Sequence, residues 1–182
     1  MIGLIIGVVV VLIVLYVIST YNTLIKLRNR ARDQWAQIDV QLKRRCDLIP
    51  NLVETVKGYA KHESSTLEDV IKARNTFVAA STPEDEMKAA GEITQTLNKL
   101  FALSEAYPEL KANENFLSLQ NDLKGVEEKI SYARQFYNDN AMSYRNKIEM
   151  FPSNIVAAIF GFKPVAFFEA SAEERKNVEV KF

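Results

Sequence analysis

From Ile2 to Ile18 the chain carries no charged residue and consists almost wholly of Ile, Val and Leu. At about 1.5 Å of rise per residue the run measures roughly 25 Å as a helix, near the lower limit for crossing a bilayer. Lys26, Arg28, Arg30 and Arg32 follow it and no basic residue precedes it, so the positive-inside rule puts the N-terminus outside and the body in the cytoplasm. Tyr16 and Tyr21 then fall near the headgroups. A cleaved signal peptide is the competing interpretation, but no cationic segment leads the run, Val17 and Ser19 are poor residues before a cut, and the helical pattern continues past its end. Residues 1–20 are therefore expected to form a single-pass transmembrane helix. Gly3 and Gly7 have the spacing of a small-residue helix contact, although glycine simply tolerated in lipid explains them as well.

Beyond the apolar run, Leu24, Leu27, Ala31, Trp35, Ile38, Leu42, Cys46, Ile49, Val53, Val56 and Ala60 recur at steps of three and four, which predicts one long amphipathic helix over about 21–62. Lys26, Arg28, Arg30, Arg32, Lys43, Arg44 and Arg45 outnumber Asp33 and Asp39 on the remaining surface and mark a wet, basic face. The cluster Lys26, Arg28, Arg30 and Arg32 is the candidate membrane-surface site, since each basic residue near an anionic leaflet contributes on the order of 1 kcal/mol. Pro50 predicts a kink rather than a break, because the apolar stripe stays in phase through it.

Three further helices follow, over about 65–81, 83–106 and 113–149. The second opens on Ser65-Thr-Leu-Glu68, the spacing of a capping box, and Leu67, Val70, Ile71, Phe77 and Val78 mark its inner face. Thr82 and Pro83 start the third, and Glu84, Asp85 and Glu86 place negative charge at its positive end. Capping explains that acidic run better than a metal site does. The third helix buries Met87, Ala90, Leu97, Leu100 and Phe101. In the fourth, Phe116, Leu119, Leu123, Val126, Ile130, Ala133, Tyr137, Ala141, Tyr144 and Ile148 form a coiled-coil-like stripe that suits the first helix as partner. Tyr132, Phe136, Tyr137 and Tyr144 have the look of a base-stacking platform, but at helical spacing and without a dense basic surround they are core and rim residues. The fold class is all-α: a transmembrane helix continuing into a long antiparallel four-helix bundle over 21–150, then a short C-terminal helix and tail.

In the C-terminal segment, 151–182, Ser153 is placed to cap a short helix from Asn154 to Phe160 and Gly161 to end it. Ile155, Ile159, Phe160, Phe162, Phe167 and Phe168 make an apolar patch that something must cover. Antiparallel helices of these lengths return the fourth to roughly 15–20 Å from the membrane end of the first, so the segment is expected near the bilayer, packed against the membrane-proximal bundle and touching either the lipid interface or a neighbouring subunit. Glu173 to Lys176 suggest an exposed tail, with Val178 and Val180 alternating as a short strand would.

Lys+Arg and Asp+Glu both number 23, which removes the overall bias expected of a nucleic-acid binder. Cys46 and His62 are each the only residue of their kind, so a cysteine cluster, an internal disulfide and paired Glu-x-x-His metal motifs are excluded. No nucleophile with its base and no phosphate-binding glycine loop stands out, and no cofactor is expected.

The run from Trp35 through Cys46-Asp-Leu-Ile-Pro-Asn-Leu-Val-Glu-Thr-Val to Glu63 closely resembles the LemA family of bacterial membrane proteins. Tyr107-Pro-Glu-Leu-Lys-Ala, Ile130-Ser-Tyr-Ala-Arg-Gln-Phe-Tyr-Asn-Asp and Phe151-Pro-Ser-Asn with Phe160-Gly-Phe extend the likeness over essentially the whole chain. The resemblance implies a single-pass protein of the bacterial inner membrane with a helical cytoplasmic domain, and no catalytic residues. Two functions stay open: a self-assembling homo-oligomeric scaffold that organises the membrane lipid, or an adaptor or sensor for another membrane protein such as a protease or signalling protein.

Overall fold

The computed structural model describes residues 1–168. The tail features from Glu173 to Val180 lie outside the described residues. The regular structure among those described is helical throughout: α1 Ile2–Tyr59, α2 Ser64–Ala79, α3 Pro83–Ser104, α4 Pro108–Lys111, α5 Glu114–Glu149 and α6 Ser153–Ile159. They belong to two compact units, one of Met1–Gln37 with Ala133–Phe167, the other of Ile38–Tyr132 with Phe168.

The second of these is the four-helix bundle. Ile38, Leu42, Ile49, Leu52 and Val56 of α1 are buried together with Leu67, Val70, Ala73 and Phe77 of α2, Ile93, Leu97 and Leu100 of α3, and Phe116, Leu123, Val126 and Ile130 of α5. Two side-chain pairs fix the antiparallel register of α1 and α5: the Asn113 amide donates to Tyr59 Oη at 3.0 Å, and Arg45 meets Glu127. Asn113 also accepts from the Phe116 N–H at 3.0 Å and so caps α5. Thr82 caps α3 as its sequence suggests, accepting from the Asp85 N–H at 3.2 Å with three acidic residues in the first turn.

Some local expectations need correction. The Ser65 capping box does not form: α2 begins at Ser64 and Glu63 is its N-cap residue without a side-chain cap bond, so Ser65 already lies inside the first turn. The Glu63 carboxylate is engaged elsewhere, accepting from the Tyr107 hydroxyl at 3.1 Å. Ile71 and Val78 face outward, since Ala73 rather than either of them completes the stripe with Leu67, Val70 and Phe77. The short helix α4, started by Pro108, was not expected from periodicity because four residues are too few to carry a pattern.

Pro50 lies inside α1, and the helix does not break there. A proline at 50 leaves the carbonyl four residues earlier, that of Cys46, without its helical donor. Arg74 of α2 supplies the replacement, its Nε donating to Cys46 O at 3.2 Å. A long-range cation thus satisfies the acceptor that the proline orphaned.

In the first unit, Leu24, Tyr144, Val156, Ala157 and Phe162 form a buried cluster against which Val17, Ile25, Leu27, Ile148 and Val165 pack. Here too α1 and α5 run antiparallel, with the Trp35 and Tyr137 rings edge to face at 5.7 Å and Ile148 returning to the level of Leu24. The Tyr137 hydroxyl donates to Ala166 O at 2.7 Å. Ser153 does not cap α6 from outside. It is the first residue of the helix, is buried, and donates its hydroxyl to Met150 O at 2.9 Å. Gly161 ends α6 at φ +67, where the Phe162 N–H reaches Ala157 O at 2.9 Å and the Gly161 N–H reaches Ala158 O at 3.2 Å. These paired bonds make a Schellman turn, and they carry Phe162 back into the cluster.

Candidate membrane-facing surface

The N-terminal part of α1 is long and apolar enough to cross a membrane, with a mean hydropathy of 3.1 over its most apolar stretch and none of that stretch buried within the protein. Just beyond it the surface changes. Thr20 is buried and Val17 packs on the cluster formed by Leu24 and α6, so the C-terminal segment lies against α1 immediately below the apolar run. Tyr21 makes edge contacts with Phe160 at 4.8 Å and Phe162 at 5.6 Å.

Of the four basic candidates, Lys26, Arg30 and Arg32 are exposed. Arg28 is half-buried, with its guanidinium 5.4 Å from the centre of the Phe162 ring and its Nε without an acceptor among the described residues. A guanidinium over an aromatic face is held by the ring's electrons while its outer edge stays hydrated. Burial pushes the Tyr144 hydroxyl above its ordinary pKa, against the opposing pull of Arg28 and Arg32.

The six apolar candidates separate by exposure. Ile155, Ile159 and Phe160 are open on the outer side of α6, Ile159 at 73%, whereas Phe162 is buried and Phe167 is half-buried beneath the Arg145 guanidinium at 5.6 Å. Phe168 is buried and belongs to the bundle unit. Met150 and Phe151 add to the open surface and were missed by reasoning from helix periodicity, because both sit in the turn before α6. The available signal was composition: Met150 to Phe162 contains no charged residue.

The bundle unit holds the feature that sequence reasoning misplaced. Arg45, assigned to the wet basic face, is 2% exposed. Its Nη1 donates to Glu127 Oε2 at 2.7 Å and Thr94 Oγ1 at 2.9 Å, and its Nη2 to Ala90 O at 2.9 Å. A buried guanidinium needs a counter-charge and acceptors for its donors, and α3 and α5 provide them at both Nη atoms, while Nε has no acceptor among the described residues. Beside it opens a cleft of about 460 Å³ lined in part by Asn98, Phe101, Gln120, Asn121 and Lys124. The neighbouring Cys46 is a buried thiol pushed up to about 11 by burial, which keeps it protonated and unreactive. Burial, together with the negative charge of Asp39, raises the pKa of Glu86. His62 is exposed, and among the described residues no group of three His, Cys, Asp or Glu side chains is placed to hold a metal ion.

The chain is similar to known proteins over most of its length. The chain is 29% identical over 162 residues to Protein LemA of Metamycoplasma hominis, an alignment covering 87% of this chain and 73% of that one. It is 25% identical to Magnetosome protein MamQ 2 of Paramagnetospirillum magneticum, over 88% of this chain and 68% of the relative. Magnetosome protein MamQ of Magnetospirillum gryphiswaldense is likewise 25% identical, over 81% and 64%. The LemA family model matches residues 34–182, a stretch that takes in the whole bundle unit and all of α6, and on that match the chain belongs to the LemA family.

Proposed function

We propose that the chain is a non-enzymatic scaffold of the bacterial inner membrane, anchored by α1 with its N-terminus outside and its helical body in the cytoplasm, and that copies associate into a homo-oligomer that organises or shapes the bilayer. The observation that supports it most is the open, uncharged surface of α6 and its preceding turn, folded onto α1 directly below the apolar run. Soluble proteins rarely leave such a patch uncovered, and here it adjoins a helix already suited to lipid. The basic residues Lys26, Arg30 and Arg32 suit an anionic leaflet at the same level. Electron microscopy of the full-length protein, gently extracted into a membrane mimetic, tests the scaffold. Uniform multi-subunit particles are expected, and single bundles in single micelles would count decisively against it.

A second function, as adaptor or sensor for another membrane protein, draws support from the amide-lined cleft beside Arg45, whose mixed polar and apolar walls suit a peptide segment. Crosslinking in cells separates the two: self-crosslinks dominate for a scaffold, a heterologous band for an adaptor.

A further inference from the structure

The first unit contains two lipid-suited surfaces, and their positions are coupled. The apolar run of α1 ends near Ile18, while Val17, Leu24 and Leu27 pack with Val156, Ala157 and Phe162. From Val17 to Leu24 the helix rises only about 10 Å. The inner side of α6 is therefore pinned to α1 at the depth where a spanning helix leaves the hydrocarbon and meets the headgroups. Its opposite side carries Ile155 and Ile159, four residues apart and so on one helical face, with Phe151 before them and Phe160 after. No charge interrupts the chain from Met150 to Phe162, and the first charge after it, Lys163, is exposed. Lys26 is exposed on α1, and Arg28 lies over the Phe162 ring.

We propose that α6 is a second membrane contact: Phe151, Ile155, Ile159 and Phe160 insert into the headgroup boundary of the leaflet from which α1 emerges, with anionic phospholipid as the partner. An apolar helix face with cations at its margins settles about 5–10 Å into that boundary. The occupant is lipid rather than a second copy, because the face is continuous with the spanning helix through the Tyr21–Phe160 contact. A contact of this kind widens one leaflet beside each anchor, and it operates in a single protomer. The inference rests on α1 crossing the bilayer but not on self-assembly.

The test uses the full chain in vesicles of phosphatidylcholine and phosphatidylglycerol containing lipids brominated either near the headgroup or near the chain end. Trp35, the only native tryptophan, sets the baseline. Ile159→Trp is expected to add a component quenched at least about twofold more by headgroup-proximal bromine than by chain-end bromine, the depth of an interfacial helix. Val10→Trp, within the apolar run, should respond to the deeper bromine and verifies the span. Val40→Trp, exposed in the bundle unit, is the unquenched control. Ile159 is open, so the replacement leaves the packed cluster intact, and Ile155→Trp is a second independent probe of the same face. If positions 155 and 159 respond no more than position 40 while position 10 is quenched, the proposal is overturned. Single-protomer particles with position 159 quenched would sink the scaffold and leave this contact standing. Multi-subunit particles with position 159 unquenched would do the reverse.

Discussion

Arg28 and Arg45 sit on the same helix, seventeen residues apart, and the sequence places both on one basic, solvated side. Their fates differ. In the first unit Arg28 rests half-buried on the Phe162 ring, with its charge partly hydrated. In the bundle unit Arg45 is fully enclosed and held by a carboxylate, a hydroxyl and a carbonyl from two other helices. The number of neighbours explains the difference. Where α2, α3 and α5 all flank α1, positions at the margin of the apolar stripe are covered along with it, and a charge there must be answered in kind. In the first unit the aromatic C-terminal segment covers the helix instead, and a long side chain can lie across a ring with its head outside.

The contrast predicts that removing an anion wounds one unit and removing a ring the other. Glu127→Ala strands the Arg45 cation, and because the Glu127 side chain is 41% exposed and water reaches the vacated place, the expected loss is about 3 kcal/mol, whereas Arg45→Met, which removes the charge and keeps the volume, should fall within about 1 kcal/mol of the parent. Denaturant unfolding in mild detergent, followed by circular dichroism, measures both. Equal losses for the two would mean that the pair stabilises rather than merely satisfies. Phe162→Ala is expected to lose about 3 kcal/mol, with Trp35 fluorescence responding because that residue belongs to the same unit. A loss seen by circular dichroism with Trp35 unchanged would place the ring's contribution elsewhere.

Smaller changes sharpen the comparison. Arg74→Ala leaves the Cys46 carbonyl without a donor and should cost about 1.5 kcal/mol. In a Pro50→Ala background, where the helix supplies its own N–H, most of that loss should vanish, and a full double-mutant cycle reads the coupling. Gly161→Ala forces a side chain into left-handed backbone at φ +67 and should cost about 1 kcal/mol, measured by the same unfolding experiment. The smallest effect is a pH dependence. Burial favours the neutral Cys46 thiol in the folded chain, while the unfolded chain releases its proton near the ordinary value of 9.0. This group's contribution is therefore fully present below pH 9.0 and is lost as pH rises toward about 11. Cys46→Ala should flatten that part of the stability profile, and an unchanged slope would assign it to other groups.

Much of the helical layout could be read from the chain. Periods of three and four located the long helices, and Thr82-Pro83 and Gly161 marked a start and a stop with the chemistry each needs. The same reasoning failed at Ser65, where hydroxyl and glutamate have the right spacing but the helix starts two residues too early for either to cap it. It also failed at Ile71 and Val78, which are apolar and nevertheless exposed, because side-chain character does not say how wide a face the neighbours cover. On the membrane-facing surface, the uncharged stretch from Met150 to Phe162 was visible as composition, but not that Phe162 turns inward while Ile155 and Ile159 face out.

By itself the sequence determined the apolar run, the helical stripes, the family and the uncharged C-terminal segment, since each follows from local spacing or composition. Only the tertiary structure decided that Arg45 is internal, that Arg74 serves the carbonyl freed by Pro50, and that α6 turns Val156 and Ala157 toward α1 while leaving Ile155 and Ile159 open. Each of these joins residues far apart in the chain, Arg45 and Glu127 being 82 positions apart. A helical period fixes which residues share a face; which distant group meets that face depends on how the helices pack.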